Sequence, residues 1–208
     1  MGVYVIGAGG HAKVVVSTLL EAGVSVDGLF DDDVGKVGSA VMGVRVLGTL
    51  ADARAISPQA GIIGIGDNRT RRRIAEELVG WEWISVIHPR AYVHPSVCVG
   101  PGVVVFAGSV IQPGVHLGAH VIVNTGVTVD HDCVVHDFAH LAPGVHLAGA
   151  VEVGEGVLLG VGSVVIPGVR IGEWAVVGAG SVVVRDIPSC VTVVGVPAKP
   201  ISPRTEGC

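Results

Sequence analysis

Residues 129–140, VDHDCVVHDFAH, combine three histidines with three aspartates. They follow a run from Ala91 to Val129 that contains no Asp, Glu, Lys or Arg. A histidine flanked by carboxylates suits general-base chemistry, because imidazole titrates near neutral pH and a carboxylate on one ring nitrogen fixes the tautomer. The run indicates either an acid–base site or a solvated surface patch, depending on the elements that carry it.

The second half of the chain repeats every six residues. Stepping by six from Ile87 to Val183 meets an aliphatic residue each time, and stepping from Ala91 to Ile187 meets only small or apolar residues. Neither a helix period of 3.6 nor a strand period of two matches this pattern, whereas a strict hexapeptide repeat is typical of a parallel β-helix. Three hexapeptides would form one triangular coil of about eighteen residues, with turns at Gly-rich pairs such as PG, AG and GG.

The same register places the histidine-rich run on the outside of this prism. Val129 and Val135 fall on interior aliphatic positions, and Cys133 falls on a small interior position. Residues 130–132 then form an outward turn between two strands, and His140 also faces outward. No charge is forced into the core, so the predicted site lies on an outer surface of the prism.

The first 85 residues alternate strands with helices, which predicts a parallel, Rossmann-like sheet. Gly7, Gly9 and Ala12 fit the pattern GxGxxG/A between a strand and a helix, where backbone N–H groups can meet a phosphate. Asp31 ends the second strand and is placed for a ribose or a base. The domain is about half of a full dinucleotide-binding unit, so a mononucleotide-sized ligand is expected rather than NAD. Alternatively, these glycines only shape the turn.

Composition narrows the class of protein. The chain has 208 residues, a net charge of −5 and no basic run, which argues against a nucleic-acid groove. No basic segment precedes an apolar stretch at the N-terminus, so no signal peptide is predicted. The uncharged run is broken by Gly and Pro at regular intervals, so it is not interpreted as a membrane span. The sequence predicts a cytoplasmic protein with two domains, residues 1–85 and 86–208.

A metal enzyme is a rival interpretation, because some hexapeptide prisms, such as γ-class carbonic anhydrases, bind zinc between subunits through three histidines. Zinc needs three or four converging ligands, and those prisms use histidines two coils apart plus one a few residues on. Two coils before His131 lies Pro95, and Asn124 and His140 do not complete the pattern. No metal is therefore expected.

The motifs GAGGHAKVV, FDDD, GIGDNRTRR, VDHDCVVHDFAHLAPG and the terminal GVPAK, together with the hexapeptide repeat, resemble the NeuD/PglD-like family of sugar acyltransferases. The resemblance covers essentially the whole chain. It implies an N-terminal Rossmann-like α/β domain followed by an all-β left-handed parallel β-helix. It also implies a homotrimer that uses acetyl-CoA as co-substrate.

The resemblance assigns roles to individual residues. His131 corresponds to the general base, and Asp132 orients it, although some members have Glu at that position. His140 matches the histidine that contacts the acetyl-CoA thioester. The remaining positions are Val161, Ala179 and Lys199 for acetyl-CoA, and Gly9, Gly10, His11, Asp31, Asp32, Gly66 and Asn68 for the nucleotide sugar.

The implied activity is N-acetylation of the 4-amino group of a nucleotide-linked 4-amino-4,6-dideoxy sugar, by direct attack of the amine with His131 as base. The long uncharged flank between Ala91 and Val129 is itself an interface signature, which agrees with a trimer. Two alternatives remain: an O-acetyltransferase of sialic acid or a related sugar, and a non-enzymatic trimeric nucleotide-binding scaffold. The base of the nucleotide stays open among uridine, guanosine and deoxythymidine.

Overall fold

The computed structural model describes residues 2–56 and 59–203. The chain divides into two compact units, Met1–Pro89 and Arg90–Cys208, whereas the sequence suggested a boundary between residues 85 and 86. Each unit has its own sheet architecture.

Within the described residues, the first unit holds a six-stranded sheet of order β3-β4-β2-β1-β5-β6 and three α-helices. Neighbouring strands are parallel except β3 and β4, which form an antiparallel hairpin that the sequence did not predict. The strands of this sheet are β1 (Val3–Ile6), β2 (Val26–Phe30), β3 (Ala40–Val41), β4 (Val44–Gly48), β5 (Ala60–Ile63) and β6 (Glu82–Trp83), and β7 (Val86–Ile87) is not part of it. The helices are α1 (Gly10–Glu21), α2 (Leu50–Ala55) and α3 (Asn68–Glu77), with a 3-10 turn at Val34–Lys36.

The order in which strands are added to the sheet reverses at β1. The chain runs from β1 to β2 on one side of it and later returns to β5 on the other side. In open parallel sheets, ligands bind in the crevice at the carboxyl ends of the strands at such a point. The buried cluster that includes Ile6, Phe30, Leu50 and Ile74 fills the interior beside this crevice.

Local sequence explains where the helices begin. Asp67 caps α3, since its side chain accepts a hydrogen bond from the backbone N–H of Thr70 at 2.8 Å. Thr49 and Asp52 form a capping box at the start of α2. Gly9 precedes α1 and makes no side-chain cap hydrogen bond.

The second unit is a parallel β-helix of triangular coils, and its three sheets are named here faces I, II and III. Each coil contributes one two-residue strand to each face, and the chain passes from face I to face II to face III. Face I holds β8 (Tyr92–Val93), β11 (Val110–Ile111), β14 (Thr128–Val129), β17 (His146–Leu147), β20 (Val164–Val165) and β23 (Val182–Val183). Face II holds β9 (Cys98–Val99), β12 (His116–Leu117), β15 (Val134–Val135), β18 (Glu152–Val153) and β21 (Arg170–Ile171). Face III holds β10 (Val104–Val105), β13 (Ile122–Val123), β16 (His140–Leu141), β19 (Leu158–Leu159), β22 (Val176–Val177), β24 (Val191–Val194) and β25 (Lys199–Pro203).

The predicted six-residue register is confirmed inside the prism. Every predicted interior aliphatic from Val105 to Val183 is at most 3 % exposed, and Cys133 is fully buried. Val99, in the first coil, is 36 % exposed, because β9 ends face II and no earlier coil covers it. Stacked parallel strands bury their small branched side chains in one continuous core.

The turns repeat a left-handed backbone conformation at every sixth residue from Gly102 to Gly180. Between faces III and I this position is glycine in every coil: Gly108, Gly126, Gly144, Gly162 and Gly180. Between faces I and II, however, it is Asp at 132, with a φ of 59°. Asp tolerates this conformation better than most residues, because its short polar side chain bonds locally.

The prism ends in a hairpin on face III. Strand β24 pairs parallel with β22, and β25 then runs antiparallel along β24, with Val194 opposite Lys199 and Val193 opposite Pro200. This antiparallel end differs from the uniform parallel stack and lies where the six-residue repeat has stopped.

Candidate active site

The histidine-rich run forms a turn between β14 and β15. Asp130 accepts a hydrogen bond from the backbone N–H of His131 at 2.8 Å, and the left-handed Asp132 turns its carboxylate back toward the same residue. Nδ1 of His131 lies 2.8 Å from Oδ2 of Asp132. The side chain of His131 is 60 % exposed, so the imidazole lies in an outward turn, as the register predicted.

The two carboxylates set the chemistry of this imidazole. A carboxylate can only accept, so Nδ1 carries the proton and Nε2 carries the lone pair in the neutral form. The hydrogen bond to Asp132, together with the charge of Asp130, raises the pKa of His131 above its ordinary value. The turn therefore presents an oriented base whose protonated form is stabilised.

His140 belongs to a second hydrogen-bonded group, on face III. Oδ1 of Asn124 accepts from the backbone N–H of Thr125 at 2.8 Å, which fixes the amide orientation. The Nδ2 group of Asn124 then donates to Nε2 of His140 at 3.1 Å. Asn124 was not assigned a role from sequence, because it fits no motif and comes beside His140 only through the stacking of the coils.

One prism does not bring the predicted catalytic and acetyl-CoA positions together. His131 lies at the edge between faces I and II, while Val161 and Ala179 lie exposed at the edge between faces III and I. His140 lies on face III, and Lys199 is exposed in β25. Face I separates the two edges within a single chain.

In the first unit, the two predicted acids after β2 make structural hydrogen bonds. Asp31 accepts from the backbone N–H of Ala8 at 2.7 Å and pairs with Lys36 at 3.1 Å. Partial burial acts to raise the pKa of Asp31, but the N–H groups of Asp33 and Ala8 and the charge of Lys36 lower it on balance. Asp32 accepts from the backbone N–H of Leu50 at 3.0 Å and so holds the start of α2.

A cavity of about 170 Å³ opens at the carboxyl ends of β1 and β2. Asp31 and Asp32 line it with four residues that the sequence did not single out: Leu50, Ile65, Thr70 and Arg73. The lining combines apolar side chains with two carboxylates and one guanidinium, which suits a flat, partly polar group. Arg73 was missed because its run of arginines reads as a solvated helix face.

The predicted positions at the starts of α1 and α3 are linked through a buried arginine. Arg71 is 1 % exposed and donates to the carbonyls of Ile65 and Gly66 at 3.2 Å each and to Oδ1 of Asn68 at 3.0 Å. Burial, and then the charge of Arg71, lowers the pKa of His11 to about 4. His11 is therefore a neutral imidazole at physiological pH.

The described residues were also compared with the requirements of a metal site and a membrane span. A cavity of about 720 Å³ lies on face II, lined by ionisable residues that include His136, Glu152 and Arg170, and neither His131 nor His140 lines it. Within residues 2–56 and 59–203, no three His, Cys, Asp or Glu side chains converge on a point that could hold a metal ion. In the same part of the chain, no helix is long and apolar enough to cross a membrane.

Comparison with known families follows the division into two units. Residues 2–78 match the PglD N-terminal domain, and residues 150–185 match the bacterial transferase hexapeptide family of six repeats. One curated protein, the uncharacterized protein L142 of Acanthamoeba polyphaga mimivirus, is 36 % identical over 91 residues, which span 44 % of this chain and 18 % of that protein.

Solved structures match both units at once. Perosamine N-acetyltransferase from Caulobacter crescentus, in complex with CoA and GDP-perosamine, is 44 % identical over 97 % of both chains, with a TM-score of 0.91. The acetyltransferase domain of PglB from Neisseria gonorrhoeae is 39 % identical over 96 % of this chain and 99 % of its own, with a TM-score of 0.91. WeeI from Acinetobacter baumannii is 27 % identical over 97 % of this chain and 100 % of its own, with a TM-score of 0.88.

The Rossmann-like unit, the hexapeptide prism and the outward histidine turn thus define a hexapeptide-repeat acyltransferase. The chain belongs to the NeuD/PglD-like family of sugar acyltransferases, and the predicted resemblance is confirmed.

Proposed function

We propose that the protein is an acetyl-CoA-dependent N-acetyltransferase that acts on the 4-amino group of a nucleotide-linked 4-amino-4,6-dideoxy sugar. The observation that carries this proposal is the His131–Asp132 pair, in an outward turn of a chain that matches a perosamine N-acetyltransferase over 97 % of its length. The Caulobacter relative binds CoA and GDP-perosamine, and structures of it with one histidine replaced by Asn or Ala support a central role for a histidine.

In the proposed reaction, Nε2 of His131 takes the proton from the sugar amine as its nitrogen attacks the carbonyl carbon of acetyl-CoA. A C–N bond forms and the C–S bond breaks, so that the CoA sulfur leaves as thiolate. The thiolate takes the proton from the His131 imidazolium, which restores the base. Asp132 keeps the other ring nitrogen protonated and stabilises the imidazolium that forms. No covalent enzyme intermediate is needed, and Cys133 is buried, which agrees with direct attack.

His140 is proposed to contact the thioester together with Asn124, and Val161, Ala179 and Lys199 to bind the rest of acetyl-CoA. The turns at the exposed edge between faces III and I contain glycine, which has no side chain to cover the backbone, so backbone groups there can bind acetyl-CoA. Because His131 lies at a different edge, one chain alone does not complete this site.

The proposed assembly is a homotrimer built on face I. Val164, Ile166 and Val184, in or beside the strands of this face, are 37 %, 39 % and 37 % exposed, which is an apolar surface suited to association. Face I is flanked by both edges that carry predicted site residues. A cyclic trimer packed on face I would place the His131 edge of one chain beside the Val161 edge of the next.

The first unit is proposed to bind the nucleotide, with Gly9, Gly10, His11, Gly66 and Asn68 at the starts of two helices. Backbone N–H groups at helix N-termini favour phosphate, and the cavity beside Asp31 and Asp32 suits the base or ribose. We also propose a cytoplasmic location, because acetyl-CoA and nucleotide sugars are cytoplasmic metabolites.

The decisive experiment is thiol release from acetyl-CoA across a panel of GDP-, UDP- and dTDP-linked 4-amino sugars and free sialic acid, followed by mass analysis of the product. Turnover with a 4-amino nucleotide sugar, lost when the amine is replaced by a hydroxyl, is the expected result. Turnover with sialic acid alone would identify an O-acetyltransferase. Tight nucleotide binding without any thiol release would favour the scaffold and refute the proposed activity.

A further inference from the structure

The imidazole of His131 lies directly against the backbone of Gly149, which occupies the corresponding turn of the next coil. A Cβ atom built on Gly149 would lie 2.6 Å from both Cε1 and Nε2 of His131 and 3.2 Å from Nδ1. Real Cβ atoms do not approach other heavy atoms closer than about 3 Å, so a side chain at residue 149 cannot coexist with the ring in this position.

Backbone conformation does not explain why residue 149 is glycine. Its φ is outside the left-handed region, in contrast to Gly168 at the same edge one coil on. The equivalent positions in other coils at this edge are Pro113 and Pro167, so the prism accepts a side chain there. In four successive coils this position is Pro113, His131, Gly149 and Pro167, so it is glycine only in the coil that follows His131.

Gly114, in the preceding coil, also lies close to this turn, but its backbone conformation gives a second reason for glycine there. A Cβ on Gly114 would lie 2.6 Å from Oδ1 of Asp132. However, Gly114 has a φ of 75°, so any side chain is strained there regardless of the available space. Gly149 is therefore the position at which the effect of space can be tested without a backbone effect.

We propose that Gly149 is a positioning residue for the acetyl-transfer reaction: its missing side chain leaves the space in which the His131 ring lies with Nδ1 on Asp132. This inference rests on the proposed role of His131 as the general base. An Ala at residue 149 keeps the backbone N–H and adds only a methyl group, and the atoms nearest to that methyl group belong to the His131 ring. Gly149 therefore acts on the reaction through the imidazole.

The surroundings of the ring determine what moves when a methyl group is added. Asp130 and Asp132 are the charged groups of its own turn, and Gly149 is the neighbour from the next coil. The side chain of His131 is 60 % exposed, so the ring can swing into solvent, whereas the backbone of the coil is held by stacked strands. Gly149→Ala should therefore displace the imidazole from Asp132 and leave the fold intact.

The test compares Gly149→Ala with His131→Ala, the double variant and Pro167→Ala as the matched control at the same turn position one coil on. We expect Gly149→Ala to lower kcat/KM by ~10²-fold, as misplacement of a catalytic group by about 1 Å commonly does. Pro167→Ala should keep activity and melting temperature. In the His131→Ala background, Gly149→Ala should cause no further loss, because no ring remains to be displaced.

A second readout follows the ring itself. Imidazole NMR titration should show the pKa of His131 falling toward its ordinary value in Gly149→Ala, because the ring loses Asp132. The proposal is overturned if Gly149→Ala lowers the residual rate of His131→Ala by the same factor as the wild-type rate, since Gly149 would then act on the reacting groups independently of His131. Wild-type activity in Gly149→Ala, or an unchanged pKa of His131, would also overturn it.

These outcomes separate the two proposals. If His131→Ala remains fully active, the assignment of the base is wrong, and the NMR titration still decides whether Gly149 sets the position of the ring. If thiol release requires His131 but not the glycine at residue 149, the proposed function stands and the positioning role fails.

Discussion

Replacing His131 by Ala should abolish most acetyl transfer without unfolding the protein. The residue lies in an outward turn, and its side chain makes one described side-chain hydrogen bond, to Asp132, so little packing is lost. Stability should therefore stay close to that of the parent. The rate should fall by roughly 10²–10⁴, the usual contribution of a positioned general base, with the loss mainly in kcat rather than in either KM.

The size of this loss should depend on pH. The raised pKa of His131 means that its base form is reached only above its ordinary titration range, so wild-type kcat/KM should rise with pH through that pKa. In the variant, a free amine must form without help, and its fraction grows as pH increases. The ratio of wild-type to variant rates should therefore be largest near neutral pH and shrink in alkaline buffer.

The assay is thiol release at saturating acetyl-CoA, with nucleotide-sugar concentration varied between pH 6 and 9, together with thermal melting of both proteins. His116→Ala removes an exposed histidine of face II one coil earlier; it is the matched control and should behave as wild type. Retention of more than about a third of wild-type activity at neutral pH would refute the reasoning, since general-base catalysis contributes far more than that. The amine would then lose its proton to another group or to water.

Four further outcomes follow from the same geometry. Asp132→Asn should lower the pKa of His131 toward its ordinary value, so the acid limb of the pH–rate profile should move to lower pH while the maximal rate falls; an unmoved limb would contradict the pairing. His140→Ala should raise KM for acetyl-CoA as well as slow turnover, and a purely kcat effect would argue against contact with the thioester. Asp32→Asn keeps an acceptor for the backbone of α2 but removes the charge, so calorimetry should show weaker nucleotide-sugar binding and unchanged acetyl-CoA binding; the reverse would exchange the roles of the two units. Ile166→Asp on face I should dissociate the proposed trimer and reduce activity, measured by sedimentation, and a monomeric parent protein would remove the intersubunit site altogether.

The prism was predictable because a strict period leaves little freedom. Once Val129 and Val135 are assigned to the interior, the outward direction of His131 follows, and the structure agrees. The period fails at the ends: Ile87 and Val99 match it but are 38 % and 36 % exposed. The repeat predicts which side chains point into the prism. It does not say whether another coil stacks on that strand and covers them.

The parts of the candidate site that were missed depend on which residues the fold buries or brings into contact. Asn124 acquires its partner only when coils stack, and Arg71 is distinguished from its neighbours in the NRTRRR run by burial against the loop it bonds. Asp31 was expected to face a ligand, and its carboxylate also ties Ala8 to the end of β2, a role that no linear motif encodes. The catalytic role of His131 and the ligand roles of the predicted positions stay predictions.

The terminal hairpin has a consequence for solubility. A stack of parallel coils ends in a row of unpaired backbone groups, which is a template for end-to-end fibril growth. On face III that row is covered by β25, which runs antiparallel and includes Pro200 and Pro203, residues that have no N–H to donate. Removal of residues 199–208 should therefore leave the coils folded but expose an adhesive edge, with aggregation that increases with protein concentration and is detected by light scattering.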